Sequence, residues 1–166
     1  MKWGILGTGV IARKFAQTVQ QMQTEGESLL AVASRSEQTA KAFATEMGVP
    51  HAYGTYAAMM ADPEIDAVYI ATPNSFHAEH SRLALENGKH VLREKPFALN
   101  PAQAKPLYEL ARQKGLFIME AFWIRFLPAL RKMQELLAAG EIGDVRHVRS
   151  DYGFIPSSQD RGKLKL

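Results

Sequence analysis

The stretch Lys2-Trp3-Gly4-Ile5-Leu6-Gly7-Thr8-Gly9-Val10-Ile11-Ala12 decides how the chain is read. The run from Trp3 to Leu6 reads as a short strand, Gly7-Thr8-Gly9 as a turn, and a helix pattern begins at Val10. Gly7, Gly9 and Ala12 fit the spacing G-x-G-x-x-G/A of a dinucleotide site. Gly7 permits a tight turn out of the strand, Gly9 lets a pyrophosphate approach the backbone, and Ala12 lets the helix pack closely on the strand. The unpaired N–H groups of the first helical turn face the anion, and the helix dipole favours negative charge there. Gly7, Thr8, Gly9, Val10 and Ile11 are therefore the expected cofactor contacts. The alternative is an ordinary strand-to-helix turn, since Gly-x-Gly occurs in many turns.

The totals bound the rest. A chain of 166 residues suggests one domain with a small appendage, and 46% apolar residues suffice for a core. The absence of Cys excludes disulfides and thiolate chemistry and fits a reducing compartment. The net charge of +3 is scattered, which argues against nucleic-acid binding. No apolar run approaches the roughly 20 residues of a membrane span. A strand at the very N-terminus leaves no room for a signal peptide, so a cytoplasmic location is the expectation.

Outward from the glycines, the pattern alternates strand and helix. Ile11, Phe15, Val19 and Met22 form an apolar stripe on a helix from Val10 to Met22. Leu29 to Ala33 is an apolar second strand, as a parallel strand covered on both faces would be. A site for NAD usually has an acid at the tip of this strand, to bind the ribose 2′-hydroxyl. Here the tip reads Ser34-Arg35-Ser36. Arg35 would attract a 2′-phosphate, with the two hydroxyls as further donors, so NADP is expected over NAD. The competing reading makes Arg35 a solvated loop charge and Ser36 merely the cap of a helix to Met47.

His51 to Tyr53 reads as a short third strand, Thr55 to Met60 as a turn or two of helix, and Ala67 to Ala71 as an apolar fourth strand. Thr72-Pro73-Asn74-Ser75 follows, with Asn74 or Ser75 as the expected N-cap of a helix ending near Gly88. His77, in that helix's first turn, could border a ligand, whereas His80 reads as surface. No carboxylate cluster or H-E-x-x-H pattern supports a metal there. Lys89 to Leu92 is the fifth strand, followed by Arg93-Glu94-Lys95-Pro96. Pro96 fixes a non-helical course, with a cis bond as one option, and would aim Lys95 into the crevice. An ammonium there can polarise or protonate a substrate oxygen. A Glu94–Lys95 surface ion pair is the bland alternative, disfavoured because neighbours on an extended chain point opposite ways. Pro101 to Lys114 and Leu127 to Ala139 are helices around a sixth strand, Leu116 to Glu120. Leu127, Leu130, Leu136 and Leu137 are the expected buried face of the last helix.

The fold class that emerges is α/β, a Rossmann-type, doubly wound and mostly parallel sheet. Its distinctive residues all follow the carboxyl ends of strands, where such sheets bind ligands.

Gly7-Thr8-Gly9-Val10-Ile11-Ala12, Thr72-Pro73-Asn74-Ser75-Phe76-His77 and Glu94-Lys95-Pro96 together resemble the Gfo/Idh/MocA oxidoreductases, and Glu94-Lys95-Pro96 is the most specific of the three. The run Gly115 to Phe126 looks most like the NADP-dependent branch that holds the dimeric dihydrodiol and D-xylose dehydrogenases. The resemblance implies NADP-dependent hydride transfer to or from a hydroxyl or carbonyl of a sugar-like or diol substrate. It implies Lys95 as the catalytic lysine, Glu94 and Asn74 on the nicotinamide side, and Arg35 at the 2′-phosphate. It implies Trp123 and Arg125 near the cofactor. Thr72 and His77 join the cofactor contacts on the matching motif.

Residues 1–122 are thus expected to be the NADP domain. Residues 123–153 would be a connecting helix and the first strand, Val145 to Gly153, of a second domain that the sequence otherwise lacks. Residues 154–166 would be an irregular tail. Relatives place substrate contacts and a second acid/base group in the absent domain. The isolated chain is therefore expected to be a truncated, inactive nucleotide-binding half, or one completed by pairing through the strand 145–153 or by a homo-oligomer. An interaction protein that uses this edge strand is the third reading.

Overall fold

The computed structural model describes residues 1–151 and Gly153. Six strands form one sheet: β1 (Lys2–Leu6), β2 (Ser28–Ala33), β3 (His51–Tyr53), β4 (Ala67–Ile70), β5 (His90–Arg93) and β6 (Ile118–Glu120). Their order is β3-β2-β1-β4-β5-β6, and each neighbouring pair is parallel. Parallel neighbours need crossovers, and helices supply them: α1 (Val10–Gln21), α2 (Glu37–Met47), α3 (Tyr56–Met60), α4 (His77–Glu86) and α5 (Pro101–Lys114). The chain runs outward from β1 to β3, then crosses back to lay β4 on the other side of β1. The strand order therefore reverses at the β1/β4 boundary, where open α/β sheets bind ligands.

Two cores cover the two faces. On one, α1 and α2 bring Ala12, Ala16, Val19, Phe43 and Met47 against Ile5, Val32 and Tyr69. On the other, α3, α4 and α5 bring Met59, Met60, Leu85 and Leu107 against Leu6, Val68 and Ile70. All four residues of β4 are buried, as its apolar run requires of a strand covered on both sides.

The buried face of α1 differs from the expected stripe. Ala12 and Ala16 are fully buried and Val19 is nearly so, while Ile11 is 42% exposed and Phe15 and Met22 are only half-buried. The helix leaves β1 after a very short turn and must lie close to the sheet, so alanines face it and bulkier groups flank the contact. Phe15 does so by stacking on Tyr69, with ring centroids 3.9 Å apart. The start of α4 also differs. Neither Asn74 nor Ser75 caps it with a side chain. A 3-10 turn, Asn74–Phe76, leads straight into His77.

Met1–Phe122 is one compact unit, and the residues from Trp123 form another. The second holds the turn Trp123–Phe126 and α6 (Pro128–Ala138). None of the expected leucines is buried: Leu127 and Leu136 are exposed, and Leu130 and Leu137 are half-buried. A helix buries its apolar face only against another element. Within this unit, the other described regular element is a four-residue turn. The expected strand from Val145 is absent over residues 145–151, where no described segment pairs with the backbone. The rest of that expectation, at Tyr152, and the tail 154–166 lie outside the described residues. Among the described residues no helix is long and apolar enough to cross a membrane.

The packing of α1 yields a contrast. Ala16→Leu overfills a closed contact and should cost about 1–3 kcal/mol. Ile11→Ala, on the exposed side, should stay within about 0.5 kcal/mol. Urea denaturation of both variants measures the difference, and equal losses would contradict this burial pattern.

Candidate functional site

The carboxyl ends of β1, β2, β4 and β5 form one rim. Gly7 leaves β1 with φ +99°, a conformation that L side chains rarely adopt. A Cβ placed there would lie 2.8 Å from the carbonyl oxygen of Ala71. Gly7 is thus demanded twice, by its backbone angle and by the wall behind it. Gly9 is different. Its φ is −76°, and an added Cβ would meet no atom within 4 Å. Nothing in the packing asks for glycine at that position. It is the N-cap of α1, no side chain caps the helix, and no acid stands in the first turn. Val10 and Ile11 are exposed beside it, and Thr8 is half-buried.

Arg13, which the sequence reading passed over, holds this turn from below. One guanidinium nitrogen donates to the Thr8 carbonyl at 2.6 Å. Its Nε and Nη2 donate to the two oxygens of Glu46 on α2, each at 2.8 Å. The bidentate pair ties the glycine turn to α2 and holds the Glu46 carboxyl below its ordinary range, through the hydrogen bond first. Only its place three residues after Val10 and four after Gly9 could have flagged Arg13, and that spacing fits any solvated helix charge.

At the tip of β2, Ser34 is half-buried and Arg35 and Ser36 are exposed. Ser36 Oγ accepts from the Thr39 N–H at 3.4 Å, so it does cap α2. The charge of Arg35 reaches Tyr56: burial pushes that phenol up, and Arg35 pulls it partly back.

Beyond β4, the side chains are more committed than expected. Thr72 is buried, and its hydroxyl lies 2.9 Å from His80 Nδ1. His80 is not at the surface but 6% exposed, packed between the rings of Tyr56 and Phe76, and burial lowers its imidazole below the usual value. His77 does not border the rim as a free side chain. It is fully buried, with Nε2 2.8 Å from the Thr72 carbonyl and Nδ1 2.9 Å from that of Pro96. Asn74 is exposed.

The segment after β5 is held from several directions. Arg93 is fully buried, with Nη1 donating to Ser81 Oγ at 3.0 Å and its guanidinium carbon 3.4 Å from the centre of the Phe97 ring. Burial pulls this group down to about 10. Glu94 receives the phenol of Tyr69 at 2.5 Å, and its N–H donates to Ile70 at 2.9 Å. Burial, then this bond to the carboxylate, pushes the Tyr69 phenol far above its ordinary value. Phe97 N–H donates to Glu120 Oε1 at 2.6 Å. The Lys95–Pro96 bond is cis. Lys95 itself is exposed, and the Glu94 carboxylate goes to Tyr69 instead of to it. Tyr69 and Glu120 were not singled out from the sequence, because they act across strands. Trp123 and Arg125 belong to the second unit, in its turn Trp123–Phe126, and both are exposed.

A glycine turn at the uncapped start of a helix, at the switch point of a parallel sheet, defines a dinucleotide-binding Rossmann domain. The chain belongs to the Gfo/Idh/MocA family: the family model described as "Oxidoreductase family, NAD-binding Rossmann fold" matches residues 1–122. It is 38% identical over 164 residues to trans-1,2-dihydrobenzene-1,2-diol dehydrogenase of Mus musculus, covering 96% of this chain and 49% of that one. It is 41% identical over an alignment of 176 residues to D-xylose 1-dehydrogenase (NADP(+)) of Hypocrea jecorina, covering 100% and 45%. Among solved structures it resembles scyllo-inositol dehydrogenase from Lactobacillus casei with bound NAD(H) and scyllo-inositol. That match has a TM-score of 0.79 and 29% identity, over 87% of this chain and 42% of that one. The chain spans about half the length of the curated relatives it matches.

The Arg13–Glu46 pair predicts a pH dependence. The folded carboxyl titrates lower than the unfolded one, so its contribution is complete above the unfolded value and is lost as the pH falls through the folded one. Glu46→Gln should therefore lower the urea midpoint near neutrality, and the gap to the native chain should narrow once the pH is taken well below the ordinary carboxylate value. Midpoints measured in both ranges check this.

Proposed function

We propose that the chain is the NADP(H)-holding half of an oxidoreductase that moves hydride to or from a hydroxyl or carbonyl of a sugar-like or diol substrate. The observation that carries it is Gly9. Gly7 is explained by the fold, but Gly9 has neither a backbone angle nor a neighbour that requires glycine. A ligand backbone passing over it gives the missing reason, and the uncapped N–H groups of α1 suit the phosphates such a ligand carries. The residues present therefore fit a dinucleotide: Gly7 to Ile11 for the pyrophosphate, Asn74 and Glu94 for the nicotinamide side. Arg35, exposed where an NAD site would carry an acid, favours the extra phosphate of NADP. Relatives named for NADP(+) and for NAD(H) both exist, so this choice rests on Arg35.

When bound, the nicotinamide supplies the hydride. The protein's part is to place one amine beside the oxygen that changes proton. The residues on either side of Lys95 are fixed: Glu94 through Tyr69 and Ile70, Pro96 through His77, and Phe97 through Glu120. The exposed ammonium is thereby offered from a rigid segment. Lys95 Nζ would hydrogen-bond the reacting oxygen, giving its proton in reduction and taking one in oxidation. A second reading is a nucleotide-binding module without turnover, the role the compact unit Met1–Phe122 would have by itself.

Titration with NADPH and NADH, followed by nucleotide fluorescence, tests the site. Arg35→Ala should weaken NADPH about 10–100-fold and leave NADH nearly unchanged. Gly9→Val should abolish both, while the melting temperature falls by no more than the few degrees that a poorer N-cap costs. NADH bound as well as NADPH would overturn the NADP preference, and a harmless Gly9→Val would overturn the site. Turnover with diol or pentose substrates separates the two readings. In an active assembly, Lys95→Met should stop turnover and spare cofactor binding.

A further inference from the structure

Among the described residues, the buried polar and charged side chains are Thr72, His77, His80, Ser81, Lys89 and Arg93. All but Lys89 belong to one connected network. His80 takes the Thr72 hydroxyl, and His77 takes the Thr72 carbonyl. Ser81 Oγ donates to the His77 carbonyl at 2.7 Å and receives Arg93. Burying so many polar groups in an otherwise apolar layer is costly unless they serve each other, and a network of this kind fixes its members in one arrangement. This one joins the end of β4 to the segment after β5 by way of α4. Two Arg93 nitrogens, Nε and Nη2, stay buried without an acceptor among the described residues. The network thus keeps a cost that apolar residues would avoid, which points to a positional role.

His77 is where the two ends of the site meet. Its ring spans 2.8 Å to Thr72 O and 2.9 Å to Pro96 O. Carbonyl oxygens only accept, so the ring must bring the proton to each bond. A neutral imidazole carries one N–H, and the doubly protonated ring carries two. In either form the ring has no side left to offer a cofactor, since it is fully buried.

We propose that His77 is a positioning residue, a strut between the Thr72 and Pro96 carbonyls that sets where Lys95 stands on the rim. The inference rests on the role given to Lys95 above, but the strut can be tested in the free chain. His77→Phe keeps a ring of similar size and removes both ring nitrogens that face the two carbonyls. His77→Gly leaves a hole that free imidazole can enter. Amide hydrogen exchange, resolved by peptide, should show the Phe97 amide exchanging about tenfold faster in both variants, while β1 and β4 keep their protection. Added imidazole should restore the slow rate in His77→Gly but not in His77→Phe. NADPH affinity should fall in both variants and recover with imidazole in His77→Gly alone.

Unchanged exchange at residues 97–98 would overturn the strut. So would a loss of protection spread evenly over all strands, or a failure of imidazole to restore it, since both mark an ordinary core residue. If His77→Phe does not fold, His77→Gly refolded with imidazole present gives the same comparison on removal of the imidazole. If the variants showed this exchange pattern while the unaltered chain bound no NADPH, the strut would stand and the functional reading beneath it would fall.

Discussion

Between the end of β1 and the end of β4 there is room for a backbone and no side chain. Gly7 sits there at φ +99°, and the carbonyl of Ala71 stands where its Cβ would be. Two bonds stitch the point: Gly7 N–H to Ala33 O and Ala71 N–H to Leu6 O, each 2.9 Å. They lock the ends of β2, β1 and β4 to one another just before the chain departs into its loops. Each loop of the rim therefore starts from a fixed origin. Because α1 leaves this crowded point at once, it can only lie flat on the sheet with alanines inward. The same constraint accounts for the exposed Val10 and Ile11 and for the uncapped first turn.

The segment from Arg93 to Phe97 is gripped from both faces of the sheet by different chemistry. On the α1 side, the grip is an aromatic stack: Phe15 on Tyr69, with the Tyr69 hydroxyl passing through to Glu94. On the α4 side, it is a polar chain through His77, Ser81 and Arg93, backed by the Phe97 ring and the Phe97–Tyr108 stack. Aromatic packing tolerates small slips, whereas hydrogen bonds of defined length do not. Together they leave the segment little freedom to shift along the strand or across it.

Much of the sheet was legible in the sequence, because parallel strands covered on both faces show as apolar runs and their ends carry turn chemistry. Ala67 to Ile70 could hardly be anything else. The two glycines could also be read, since their spacing pairs a backbone demand at Gly7 with open room above Gly9. What could not be read were relations between distant residues. Nothing local says that Arg13 would find Glu46, that Tyr69 would reach Glu94, or that His80, polar and three residues from His77, would be buried against Tyr56. The α1 stripe misled because hydrophobicity ranks Ile11 above Ala12, while proximity to the sheet selects for smallness. The leucines of α6 and the alternation after Val145 misled for another reason: an amphipathic pattern states that a partner is needed, not that one is present.

The sheet's order also has a consequence in time. Of the strands in this sheet β1 is made first, and its two neighbours are β2 and β4. Until synthesis has passed Ile70, the nascent chain has the glycine turn but not the wall at Ala71 that shapes it. At roughly 5–20 residues per second the wait lasts seconds, with one flank of β1 unpaired. The glycine turn is therefore the first of the rim's turns to be made, yet it gains its wall at Ala71 only when the fourth strand is in place.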